Sequence, residues 1–299
     1  MQEAARRTNG RNELKQRHQE SFEDVSPEVG GLDAGALASL VGASPDEAAS
    51  LLADMANATD RELRAKARRA AAQLYLRMAR QGRPSKRGIR RLAADVDPLG
   101  GDLDLDATLA RTNGLLPSGP GQIVTRRWST SERAICLLID RSGSMYGEAV
   151  ARAAVAAAGV LVAAGERADC SVIAFAKDAV VLQEQGRKRP PMALLDDVLS
   201  LRGRGTTDLA LALRAARRQL GRAGARERVV VLLSDAKATT GADPIAALRG
   251  LDRVHVLGTS DEPESVEAGQ LLARRGGGSY RTCLTVRDIP RLLTALLDE

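Results

Sequence analysis

The stretch Ile135-Cys136-Leu137-Leu138-Ile139-Asp140-Arg141-Ser142-Gly143-Ser144-Met145 runs an unbroken apolar segment into a turn of small residues that carries one carboxylate and two hydroxyls. A short apolar run bounded by a Gly/Ser turn reads as a strand buried on both faces, the habit of parallel sheets covered by helices. Asp140, Ser142 and Ser144 then place hard oxygen donors at alternate positions, the donor type of a divalent-metal site. Two later segments have the same character. Val229-Val230-Val231-Leu232-Leu233-Ser234-Asp235 is a second apolar strand ending on a hydroxyl and a carboxylate, and Gly205-Thr206-Thr207-Asp208 opens a helical stretch. On spacing alone, Thr206 and Thr207 compete for the ligand role. In open α/β sheets, ligands bind beyond the carboxyl ends of strands, where loops and helix N-termini converge.

Outward from this core, the chain alternates strand and helix as an open α/β sheet does. Helices are expected at 148–164, 192–201, 208–219, 243–251, 264–275 and 286–297. Strands are expected at 135–140, 170–176, 179–183, 229–233, 254–257 and 279–283. The pair flanking Lys177-Asp178 reads as a hairpin with an antiparallel edge. This predicts a doubly wound, mostly parallel six-stranded sheet over 128–299.

The segment before it is different. Residues 1–30 are polar and read as a disordered tail. Residues 31–92 read as a helical module, with Ser44-Pro45-Asp46-Glu47 marking one helix start and Thr59-Asp60-Arg61-Glu62 a capping box at another. Residues 93–127 read as a linker in which Asp102, Asp104 and Asp106 would share one face of a strand. That loop lacks the glycine and glutamate an EF-hand needs.

Composition bounds the function. Only 2% of residues are aromatic against 44% hydrophobic, so the core rests on Leu, Val, Ile and Ala. Cys136, Cys170 and Cys283 lie in apolar segments without metal-ligand spacing and read as buried thiols. The net charge of +6 is mostly dispersed arginine; the denser run Arg80–Arg91 has six cations but no aromatic platform for bases, which disfavours nucleic acid. No apolar run is long enough for a membrane span and no secretory signal is visible, so a cytoplasmic location is expected.

The three oxygen-bearing segments together resemble the von Willebrand factor A family, whose metal-ion-dependent adhesion site is Asp-x-Ser-x-Ser with a remote Thr and a remote Asp. The resemblance implies Mg²⁺, with Mn²⁺ or Ca²⁺ as substitutes. It assigns Ser142, Ser144 and Thr207 as direct donors, with Asp140 and Asp235 nearby, and an open position for an acidic side chain from a partner. Thr207 is favoured over Thr206 because the family's ligand usually stands directly before Asn or Asp. Arg141 inside the motif, and Ala236 where many members have glycine, are departures. Within the family the chain is similar to bacterial MoxR-associated and CoxE-like proteins, and less closely to the magnesium-chelatase D subunit. That branch implies an AAA+ ATPase, or its client, as partner.

Catalysis is not expected. A haloacid-dehalogenase-type phosphotransferase needs a second Asp where Ser142 stands. Ser142 and Ser144 have no Gly-x-Ser-x-Gly elbow, and the histidines offer no base: His18 lies in the polar N-terminal segment and His255 in a strand. No phosphate-binding Gly-x-x-x-x-Gly-Lys motif exists.

Overall fold

The computed structural model describes residues 8–81, 91–95, 102–112, 114–115, 119, 122–129, 133–143, 145–164, 170–187, 189–203 and 205–299. Four helices open the chain: α1 (Arg11–Val25), α2 (Ala34–Ala43), α3 (Pro45–Met55) and α4 (Arg61–Gln81). Within the tail expected to be disordered, Arg11–Val25 are helical, kinked at Gln19, where φ is 42°. Its few large apolar side chains, Leu14, Phe22 and Val25, are buried among the neighbouring helices. Low apolar density along the sequence concealed them, because three well-placed side chains can anchor a segment of otherwise polar character. Helix α3 starts at the proline, but the Ser44 side chain makes no capping bond. At α4 the cap is Asp60, whose Oδ1 accepts from the amides of Glu62 (2.8 Å) and Leu63 (3.1 Å), rather than Thr59.

Residues 85–133 form a compact unit of their own rather than a linker. Strand β3 (Thr125–Ser129) lies between β1 (Arg91–Asp95) and β2 (Asp102–Leu103), antiparallel to both. The acidic alternation makes a strand only at Asp102–Leu103. Asp104 instead caps helix α5 (Leu105–Arg111), accepting from the Ala107 amide at 3.1 Å, and Asp106 lies in the first turn. A short acidic residue ahead of an Ala/Leu segment favours a helix N-terminus, and that preference prevails over period-two patterning.

From Arg133 the six-stranded sheet unfolds in the order β6-β5-β4-β7-β8-β9. Its strands are β4 (Arg133–Asp140), β5 (Cys170–Phe175), β6 (Ala179–Gln183), β7 (Glu227–Ser234), β8 (Arg253–Gly258) and β9 (Gly277–Thr282). Strands β4 and β5, β7 and β8, and β8 and β9 pair in parallel, and β6 closes one edge antiparallel to β5. The flanking helices are α6 (Gly147–Ala164), α7 (Pro191–Leu199), α8 (Leu209–Leu220), α9 (Pro263–Arg275) and α10 (Ile289–Asp298). The helix expected over 243–251 is only a 3₁₀ turn at Ala246–Leu248. Gly241 and Gly250, both at positive φ, bracket it.

Side chains sort by parity. Ile135, Leu137, Ile139, Val172, Ala174, Val231 and Leu233 face the α6 side, whereas Cys136, Leu138, Ile173, Phe175, Val230 and Leu232 face α8 and α9. All three cysteines are free and buried. Helices α3 and α4 pack on the outside of α6. Val150, Ala151, Ala154, Val155, Ala156 and Ala158 are consequently all buried, and α6 has the all-round apolar character of a helix enclosed on both sides. Residues 1–84 and 134–299 thus belong to one compact unit with a shared core, not to a separate module and domain.

Candidate metal centre

Asp140 ends β4 and Asp235 follows β7, so both carboxylates emerge at the same end of adjacent strands. Asp140 Oδ1 accepts from the Ser142 amide at 2.8 Å, folding the turn back on the carboxylate. Its Oδ2 accepts from Ser234 Oγ at 2.5 Å, and Ser234 Oγ in turn accepts from the Ala236 amide at 2.9 Å. Asp235 Oδ1 accepts from the Lys237 amide at 3.0 Å. Lys237 itself is drawn aside: its Nζ lies 2.5 Å from Glu262, whose hydrogen bond raises the lysine's pKa.

Asp140, Ser142 and Asp235 line one cleft of about 160 Å³, together with Arg152 and Thr259. That volume holds several water molecules. Burial pushes the Asp140 carboxyl above its ordinary range; the Ser234 and Ser142 hydrogen bonds oppose this, and the nearby Asp235 charge adds to it. A buried carboxylate whose ionisation a neighbouring carboxylate makes costlier is a place where a cation is favourable. Three of the five expected ligands, Asp140, Ser142 and Asp235, bring hard oxygen donors to this cleft, and a site with few carboxylates and room for water suits Mg²⁺.

Thr207 lies on the neighbouring loop and is 2% exposed, whereas Thr206 is exposed. The Thr207 amide donates to Thr239 Oγ1 at 2.8 Å, and its carbonyl accepts from the amides of Thr239 (3.0 Å) and Thr240 (3.2 Å). This loop is thereby tied to the one carrying Asp235. Asp208 caps α8 through the Leu211 amide at 2.7 Å. Ser144 lies outside the described residues, as does most of the basic run, 82–90.

Both departures from the family pattern have local consequences. Arg141 points away, into an ion pair with Asp178 in the β5–β6 turn, and is buried. Ala236 occupies φ 61°, the left-handed region in which glycine is at ease. The sequence reasoning missed Arg152, which donates from Nη1 to the Leu284 carbonyl at 2.8 Å, and Thr259, whose amide donates to the Ser234 carbonyl at 3.2 Å. Thr259 had a signal, the exit of β8 at the same sheet edge; Arg152, one turn into a helix, had none.

Residues 135–237 match the family model of the von Willebrand factor type A domain. The chain carries a von Willebrand factor type A domain. The matched segment of this A domain runs from β4 past β7 and includes all five expected ligand positions. Among solved structures, an aerotolerance-related membrane protein from Bacteroides fragilis is 19% identical, with a TM-score of 0.44 over 56% of this chain and 99% of that one. A von Willebrand factor type A protein from Catenulispora acidiphila is 22% identical, with a TM-score of 0.44 over 57% of this chain and 44% of that one. The conserved hypothetical protein BatB from Bacteroides thetaiotaomicron is 17% identical, with a TM-score of 0.40 over 56% and 98%. No curated protein sequence matches the chain. Among the described residues, no helix is long and apolar enough to cross a membrane.

Proposed function

We propose that this chain is a metal-dependent protein-binding module, not an enzyme. In this reading Ser142, Ser144 and Thr207 hold Mg²⁺, with Asp140 and Asp235 alongside. The observation that carries the reading is the cleft itself. Asp140, Ser142 and Asp235 line it, and the burial of Asp140 beside the Asp235 charge favours a cation between the strand ends. A bound Mg²⁺ supplies a Lewis-acidic point that accepts an oxygen ligand from outside. The chain's own residues do the rest. Ser234 and the Ser142 amide orient Asp140, the Lys237 amide orients Asp235, and the Thr239 contacts hold the Thr207 loop beside them.

The partner is then a protein that offers an Asp or Glu side chain. The resemblance to MoxR-associated proteins makes an AAA+ ATPase, or a client it remodels, the partner class, and the adaptor presents one to the other. The test is capture of a MoxR-type ATPase by the immobilised full chain, in Mg²⁺ and in EDTA. Capture that requires Mg²⁺ and is lost in Ser142→Ala supports the reading. Capture unchanged by EDTA and by Ser142→Ala overturns it.

A further inference from the structure

The loop 140–147 is anchored at its start by the sheet, through the Arg141 amide to the Phe175 carbonyl at 2.8 Å. Its other end is anchored by the N-terminal helices. Gly147, the first residue of α6, donates its amide to Asp54 Oδ1 at 2.9 Å. Asp54 belongs to α3 and is 3% exposed. Its Oδ2 meets His18 Nε2 at 3.0 Å and Arg17 Nη1 at 3.3 Å, both on α1. The Arg17 guanidinium also lies 4.5 Å from the centre of the Tyr146 ring, within the same loop. Gly147 has φ 42°, and a Cβ there would fall 2.5 Å from Ser50 Oγ of α3, so the helix leaves no room for a side chain.

Two residues past the end of α3, Asn57 reaches a second loop of the candidate site. Asn57 Nδ2 donates to the Leu199 carbonyl at 2.8 Å, and Oδ1 accepts from Arg202 at 2.7 Å. The adjoining Gly203 packs its Cα against the loop bearing Ser142: a Cβ at that position would lie 1.7 Å from the Gly143 carbonyl oxygen. Thr207 follows four residues later. Helix α3 and the turn that follows it thus hold two of the three loops that carry the expected ligands. An acidic side chain at the N-terminus of α6 also satisfies an otherwise orphaned amide and complements the helix dipole.

We propose that Asp54 and Asn57 are positioning residues for the metal site, so that the N-terminal helices are a working part of it rather than a separate adaptor module. The proposal rests on the metal reading above. Neither residue touches the cleft; each acts through a loop backbone.

The test uses the full chain and two readouts: Mg²⁺ affinity by calorimetry, and amide hydrogen exchange over 142–147 and 199–207 in metal-free protein. Asp54→Ala is expected to weaken Mg²⁺ binding by about tenfold, the equivalent of about 1.4 kcal/mol, and to speed exchange across 142–147. Asp54→Asn keeps an acceptor for the Gly147 amide and is expected to recover most of both, a rescue that general loss of packing would not give. Asn57→Ala reads the second loop independently, with faster exchange at 199–207, should Asp54→Ala fail to fold. If the wild type binds no Mg²⁺, the metal reading fails, and the exchange arm still decides whether α3 orders these loops. Exchange over both loops unchanged in the folded variants overturns the proposal, as does unchanged Mg²⁺ affinity in a wild type that binds.

Discussion

Asp140 and Asp54 are buried carboxylates with opposite electrostatics, and each makes a prediction. Burial and the Asp235 charge raise the Asp140 pKa, so its contribution to stability is present below the unfolded carboxylate value and is lost as pH rises through the folded one. Asp140→Asn should therefore raise the melting temperature of metal-free protein at neutral pH while abolishing Mg²⁺ binding; a melting temperature that falls contradicts this. For Asp54, burial raises the pKa, but the His18 bond, the Gly147 amide and the Arg17 charge together outweigh it and hold the carboxyl below its ordinary range. Its contribution is complete above the unfolded-state pKa of about 3.9 and is lost as pH falls through the lower folded value. An acid titration of Asp54→Asn should then show a shallower loss of stability below about pH 4 than the wild type. Ala236 makes a third prediction. Its left-handed φ costs roughly 1 kcal/mol relative to glycine. Ala236→Gly should raise the melting temperature by about 2 °C, measured by calorimetry, and an unchanged or lower value would show that the loop carries no such strain. The strained alanine was legible in the sequence as a departure from pattern. The Asp54 cluster was not, because its members are spread from residue 17 to residue 147 and only the tertiary fold joins them.

Among the elements, the sheet strands other than β9 were legible because each is an apolar run bounded by turn residues, and the Lys177-Asp178 turn marked the antiparallel edge. The errors fall where local patterns were read without their tertiary setting. Period-two acids at 102–106 suggested a strand, but Asp104 serves a helix N-terminus. The helical reading of 243–251 ignored what Gly241 and Gly250 permit. The polar N-terminal segment suggested disorder, but Phe22 and Leu14 are fully buried. One sequence signal for the docking of that segment was present and unused: α6 has no continuous polar face, so a helix on the sheet alone would leave part of it unpaired. Leu52 belongs to the resulting α3–α6 core and is completely buried. Leu52→Ala should destabilise by about 2–5 kcal/mol. The loss should appear in the unfolding of the whole unit, as a single shifted transition by circular dichroism. A separate low-temperature transition confined to the helices would indicate that they fold independently.

In the molecule as a whole, a mostly parallel sheet brings Asp140 and Asp235 to one edge, and N-terminal helices hold the loops around them. The sheet explains why a cation site is possible, since strand ends and helix N-termini converge there. The helices explain why the loops keep one shape before any metal arrives. The sequence motifs pointed to the candidate site but not to what braces it, because hydrogen bonds such as Asn57 to Leu199 cross 142 positions of chain. All of this depends on the cleft taking a divalent cation. The most direct test is calorimetric titration of the metal-free full chain with Mg²⁺, alongside a Ser142→Ala/Asp235→Ala variant shown to be folded. The account predicts one site per chain in the wild type and none in the variant. Absence of Mg²⁺ binding by folded wild type, or equal binding by the variant, would contradict it.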